Sequence, residues 1–199
     1  MKKVDIYSES LDLFLKEDTE KMEICSGADY DRDNKIFLLE YFGHKCTVSA
    51  ETGEIDLIGG AFPLIEDDRT LILQYMVQSS GLPPRGNWIS FLELPGGPLH
   101  YTPLQNVAFL PLVNEFGNNP EGFKKAARGL HGRRMEMGDL AFKIYALPKL
   151  PLALIFWFSD DEFPARTAIL YDESSQSQLT TASLWVLGCR AASIMINLH

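Results

Sequence analysis

The sequence predicts an α+β protein: one domain over residues 1–199, with helices packed on a sheet that is largely antiparallel or mixed. Three observations carry this prediction. Strand-like runs come in clusters instead of alternating strictly with helices, as a doubly wound parallel sheet would require. Apolar residues recur at helical spacing in separate stretches that can cover a sheet, chiefly 65–79, 120–128 and 179–197. A chain of 199 residues that is 46% hydrophobic and 23% charged can bury one sizeable core.

The elements follow in order. Residues 4–24 place Ile6, Leu11, Leu13, Phe14, Met22 and Ile24 among acids and lysines, an amphipathic helix stopped by Ser26-Gly27. KIFLLEYFG (35–43) and HKCTVSA (44–50) read as strands, with Glu51-Thr52-Gly53-Glu54 as a hairpin turn and Glu54 to Ile58 as the return. In Ile65–Ser79, acids occupy the first turn and Leu71, Ile72, Tyr75 and Met76 share one face, which suits both the helix dipole and a core. A strand over 88–94 leads to Pro95-Gly96-Gly97-Pro98. Residues 104–116 form a helix that Pro111 should kink or split. Asn119-Pro120-Glu121 starts a short helix over 120–128, and Gly129 ends it. GDLAFKIYALP, LPLALIFWF and ARTAILYD supply three further strands before the closing helix.

Charge restricts the function classes. Residues 1–68 hold 17 acidic and 7 basic side chains, a net −10, whereas the remainder is nearly balanced. This argues against nucleic acid as a partner. No apolar run is long enough to cross a membrane, and acids stand where a secretory signal needs its apolar core, so a cytoplasmic chain is expected. Cys25, Cys46 and Cys189 are odd in number and far apart, which suits reduced thiols, with Cys189 the thiol expected to be most buried. Trp88, Trp157 and Trp185 sit in apolar runs and read as core.

Three features could carry chemistry. The turn Pro95-Gly96-Gly97-Pro98 lacks any nucleotide-loop spacing, and its prolines have no N–H to donate; it reads first as a hairpin-like reversal, second as a ligand loop. His100 and Tyr101 follow it. Lys124, Lys125, Arg128, Arg133 and Arg134 form a positive stretch with no acid between Glu121 and Glu136. Its His131, Arg133 and Arg134, expected in a loop, could clamp a phosphate or carboxylate, although such runs more often solvate a surface. Asp160, Asp161, Glu162, Asp172 and Glu173 could converge at a sheet edge, but their spacing is turn-like and no metal site is assigned.

Certain residues also carry a family resemblance. They are Pro84-x-Gly86-x-Trp88-Ile89-x-Phe91-x-Glu93-Leu94-x-Gly96-Gly97, Gly138-Asp139, Pro148-x-x-Pro151, Asp161-Glu162-Phe163-Pro164-Ala165-Arg166 and Asp172-x-Ser174. Together, over nearly the whole chain from Ser26 onward, they resemble the uncharacterised domain-of-unknown-function family 3786 of anaerobic bacteria and archaea. The resemblance implies an accessory role beside iron–sulfur and corrinoid-dependent one-carbon proteins, and it implies no catalytic residues. This sequence has no cysteine cluster that could hold an iron–sulfur centre.

Three functions are therefore expected, in descending order. The first is a non-catalytic module for a small anionic ligand or unidentified cofactor in anaerobic one-carbon or redox metabolism. Its site would be Gly96, Gly97, His100, Tyr101, His131, Arg133 and Arg134, where the turn 95–101 meets the basic segment. The second is an adaptor whose acidic N-terminal third docks on a basic redox or corrinoid-pathway protein. The third is a metal-assisted hydrolase using Asp161, Glu162 and Asp172, with His100 as base.

Overall fold

A computed structural model of the chain describes residues 5–198. The architecture is α+β, with two antiparallel sheets, one of four strands and one of five.

The N-terminal pattern forms two helices, not one. Helix α1 (Ile6–Phe14) is capped by Asp5, and α2 (Thr19–Ser26) starts afresh because the Asp18 carboxylate accepts the Lys21 N–H at 2.8 Å. A local side-chain cap satisfies a backbone donor that a continuous helix would have bonded through its own carbonyls. The part of the expected helix before Asp5 lies outside the described residues. Gly27 ends α2 in the left-handed conformation, as read from the sequence. The smaller sheet follows as β1 (Asp29–Asp31), β2 (Ile36–Tyr41), β3 (His44–Ser49) and β4 (Ile55–Leu57), paired in that order. The hairpin turn at 51–54 falls where expected, whereas Phe42 and Gly43, read as the end of a strand, form the turn between β2 and β3 with positive φ at both residues; the short β1 carries no pattern that distinguishes it from a loop.

Helix α3 (Glu66–Gln78) leads to β5 (Trp88–Ser90), shorter than the strand expected over 88–94. A 3₁₀ turn at Phe91–Glu93 ends it, held by the Glu93 carboxylate on the Ser90 N–H at 2.8 Å. The Pro95-Gly96-Gly97-Pro98 segment is then no hairpin reversal. It is the start of helix α4 (Gly97–Leu104): Gly96 adopts φ 74° and Pro98 stands in the first turn, where its missing N–H costs nothing. Gly97 is needed for a different reason, since a Cβ there would fall on the Phe91 carbonyl oxygen. A π-helical turn (Gln105–Phe109) joins α4 to α5 (Leu110–Phe116). Pro111 therefore does not split the helix; the wider turn just before it absorbs the proline.

Helix α6 (Pro120–Gly129) is followed by β6 (Arg133–Met135), where a loop was expected. Three residues are too few to show a period. Strands β7 (Leu140–Leu147), β8 (Leu150–Trp157) and β9 (Arg166–Asp172) and helix α7 (Thr181–Asn197) complete the chain. The larger sheet runs β5-β9-β8-β7-β6.

Helices cover one face of that sheet. The Phe123 ring on α6 lies 6.0 Å from Phe142 and 5.2 Å from Phe156, and the Tyr171 hydroxyl donates to the Leu184 carbonyl of α7 at 3.1 Å. Alternation along each strand therefore sends Phe142, Ile144, Leu152, Leu154, Phe156, Ile169 and Tyr171 into the core, all at most 5% exposed. The two sheets meet where the Phe42 N–H donates to the Ala146 carbonyl at 2.9 Å. Beside that junction, Asp68 is fully buried and accepts from Arg190 Nε and Nη2 of α7 at 2.7 and 2.8 Å and from the Tyr41 hydroxyl at 2.6 Å. One carboxylate thus ties α3, α7 and β2 together. Cys46, not Cys189, is the fully buried thiol, and all three tryptophans are half-buried, outside the fully buried core.

Asp68→Ala should lower stability by about 2–4 kcal/mol in denaturant unfolding, because it strands the half-buried Arg190 guanidinium and leaves the buried Tyr41 hydroxyl without its acceptor. Gly97→Ala should cost about 1–3 kcal/mol by steric overlap, measured the same way. Gly96→Ala, which meets nothing within 4 Å, should cost only the left-handed backbone penalty of about 1–2 kcal/mol.

Candidate functional site

Strand alternation also decides what the uncovered face of the larger sheet presents. Register places Arg133 opposite Lys143, Tyr145 opposite Pro151, and Trp88 opposite Asp172. These residues point away from Phe142, Ile144, Leu152 and Tyr171, so they lie on the side the helices leave open. Lys143, Tyr145, Trp88, Ala168 and Leu170 are half-buried there and Arg133 is exposed.

Across one end of this face runs a cleft of about 450 Å³. Its wall is the segment Pro84-Arg85-Gly86. Its floor crosses the sheet from Trp88 and Asp172 through Pro151 and Tyr145 to Lys143, Arg133, Arg134 and Met135. Four basic residues line it against one acid, in a chain of net charge −9, although register sets Arg134 opposite Phe142 and so only Arg85, Arg133 and Lys143 offer their charge to the open face.

That carboxylate is structural. Asp172 is fully buried, and its two oxygens accept from the N–H groups of Arg85 at 2.9 Å and Gly86 at 2.7 Å, and from the Ser174 N–H and hydroxyl at 2.9 and 2.6 Å. Burial pushes its pKa up, but the Ser174, Arg85 and Gly86 donors outweigh that and hold the carboxyl below its ordinary range. The wall of the cleft is thereby pinned to the end of β9 at fixed height.

The basic groups are not equivalent. Arg134 spends its guanidinium on the turn between β6 and β7, donating to the Ala141 and Asp139 carbonyls at 3.3 and 3.1 Å. Arg85 lies 3.3 Å from the Glu173 carboxylate. Arg133 and Lys143 have no carboxylate partner among the described residues; the Lys143 ammonium rests over the Tyr145 ring at 5.4 Å.

The expected site is therefore divided. Arg133 and Arg134 line the cleft, the first free and the second committed to the fold. Gly96, Gly97, His100 and Tyr101 lie on the opposite, helix-covered side: the His100 carbonyl accepts from Trp185 Nε1 on α7 at 3.2 Å, and the Tyr101 ring packs 6.0 Å from Phe109. The turn 95–101 and the basic segment thus do not meet. His131 adopts φ 54° beside the smaller sheet, its ring 5.2 Å from that of His44, and is not part of the cleft. Sequence reading missed Arg85, Trp88, Lys143 and Tyr145 as site residues; the alternation Lys143-Ile144-Tyr145 was the available signal, but it does not say which face is covered.

The carboxylates of the hydrolase reading do not assemble either. Asp172 is buried under four hydrogen bonds, while Asp161 and Glu162 lie in an exposed turn before the other end of β9, about 20 Å away at strand rise. Asp160 closes that turn by accepting the Glu162 and Phe163 N–H groups, and these donors lower its pKa. Among the described residues no group of three or more His, Cys, Asp or Glu side chains is placed to hold a metal. Burial pushes the Cys46 and Cys189 thiols up to about 12, which leaves them protonated and unreactive. A larger cleft, of about 540 Å³ between α1, α3 and α7, is lined among the described residues by Asp5, Glu66 and Asp67 with no basic side chain.

Fold and site together define an α+β protein with helices on one face of its larger sheet and a basic cleft on the other. Residues 18–193 match a family model described as a domain of unknown function, DUF3786, and the chain belongs to that family. No curated protein and no solved structure matches it. No helix among the described residues is long and apolar enough to cross a membrane.

Asp172→Asn should cost about 1.5–3 kcal/mol at pH 7, since a charged acceptor of four donors is lost and an amide N–H₂ is turned toward them. Because the folded pKa is depressed, this stabilisation is present above the unfolded value and disappears as pH falls through the folded one. The difference between wild type and variant in urea unfolding should therefore be full above pH of about 4 and shrink below it.

Proposed function

We infer that the protein is a binding module for a small anionic ligand, held in the cleft on the open sheet face by Arg133 and Lys143 with Arg85 at the wall. The observation that carries this reading is the placement of Arg133 directly opposite Lys143 on adjacent antiparallel strands. Like charges in that position repel and weaken the pairing. Here no carboxylate among the described residues relieves them, although the chain has 27 acids to draw on. A bound phosphate or carboxylate would relieve that repulsion and gain charge-assisted hydrogen bonds from both groups. The buried Asp172 supports the same reading: it keeps the wall in place through backbone N–H groups and Ser174, without drawing on Arg133 or Lys143. An accessory role in anaerobic one-carbon or redox metabolism is part of this proposal, drawn from the family resemblance alone.

Calorimetric titration with inorganic pyrophosphate should show saturable binding that weakens as salt rises. Arg133→Ala and Lys143→Ala should each reduce affinity at least about tenfold, the loss of one charge-assisted contact, with little change in melting temperature. Absence of binding, or variants that bind as the wild type does, would remove the reading. Arg134→Ala is the poorer probe, because its guanidinium holds the β6–β7 turn.

A further inference from the structure

The cleft has two chemically different ends. At one end stand Arg133 and Lys143 on β6 and β7; at the other stands Trp88 on the edge strand β5. The three aromatic side chains on the open face are not alike. Tyr145 carries the Lys143 ammonium at 5.4 Å, and Trp157 is covered by the Arg166 guanidinium at 4.6 Å. Trp88 has no cation or ring stacked on it among the described residues, and it borders the cleft beside the pinned wall. Gly86 leaves the space above that wall open, with nothing within 4 Å of where a Cβ would be.

The strand order sets the distance between the ends. From β5 the sheet passes β9 and β8 before β7 and β6. At about 4.8 Å per strand and about 3.3 Å per residue, with Lys143 two residues along from the row that joins Trp88 to Tyr145, Trp88 stands roughly 16 Å from the backbone of Lys143 and roughly 20 Å from that of Arg133. The basic side chains reach back over the floor, so a ligand touching both ends must separate its flat part from its anionic part by something on the order of 10 Å. Inorganic phosphate or a small dicarboxylate is too short. The volume of about 450 Å³ lies within the range of small-molecule pockets.

We propose that the ligand is a nucleoside polyphosphate, its base stacked on the free face of Trp88 and its terminal phosphates held between Arg133 and Lys143. The proposal rests on the anion-binding reading above and adds the ring. Stacking on an indole suits any base, because each presents a π face. Pro151 on β8 forms the middle of the floor, and the Tyr145 ring beneath the Lys143 ammonium borders the basic end.

The test compares ATP with inorganic triphosphate, by calorimetry and by quenching of tryptophan fluorescence. Wild type should bind ATP at least about fivefold more tightly than triphosphate, the contribution of one base stacked on an aromatic ring. Trp88→Leu keeps an apolar side chain on β5 but removes the π face. It should bring ATP down to the triphosphate level, leave triphosphate binding unchanged, and abolish the ATP-dependent quenching. A melting curve like that of the wild type shows that Trp88→Leu is folded; Trp88→Phe, which retains a ring, should recover part of the difference. Equal affinity for ATP and triphosphate, or ATP binding indifferent to Trp88→Leu, overturns the nucleotide while leaving the anion site standing. Failure of both ligands to bind removes both.

Discussion

The arrangement depends on the one-sided covering of the five-stranded sheet. Helices α5, α6 and α7 pack on the face built by Phe142, Ile144, Leu152, Leu154, Phe156, Ile169 and Tyr171, and a strand that buries one row of side chains must present the other row elsewhere. That second row has no helix to meet. It is accordingly built from small residues on the floor, such as Ala141, Ala153 and Ala168, and from amphipathic ones above, such as Lys143, Tyr145, Trp157 and Arg166. These long side chains lay apolar stems over the floor and keep polar ends in water. The open face is thus a direct result of how the core is made.

Two buried carboxylates do different work around that frame. Asp68 accepts from a guanidinium and a phenol, and so fixes α3, α7 and β2 around the junction of the two sheets. A buried charge pair of this kind costs desolvation, and its geometry must be nearly ideal to recover it. Asp172 needs no cation. Backbone N–H groups of the 85–86 segment and the Ser174 hydroxyl satisfy it, which leaves every basic side chain of the cleft free of a duty to that charge. Had Asp172 been neutralised by Arg133 or Lys143, the cleft would hold a closed ion pair and no surplus of positive charge.

Separation of roles also explains the glycines. Gly96 and Gly97 look like a ligand cradle, yet they turn the chain out of the 3₁₀ segment into α4, on the far side of the sheet from the cleft. The π-turn at 105–109 and Pro111 continue the same theme: local irregularities here let one long helical segment lie along α7. None of them faces the basic cleft.

Much of the fold was legible because it rests on local chemistry. The period of two in β7, the capping Asn119, the acids opening α3 and the Gly27 stop act within a few residues of themselves. The break at Asp18, the short strands β1 and β6, and the helical role of Gly97 were not, since a three-residue strand shows no period and a glycine pair serves a turn or a helix start equally well. For the site, sequence alone marked Arg133 and Arg134 as a local excess of positive charge, and no more. That Arg134 is consumed by carbonyls, that Lys143 stands across from Arg133, and that Trp88 and Arg85, about 50 residues earlier, close the same cleft follow from strand order and register. Composition and local pattern determined which segments are helix or strand and that this part of an acidic chain is basic; the pairing of distant strands, which no local signal encodes, decided which of those charges meet and on which face.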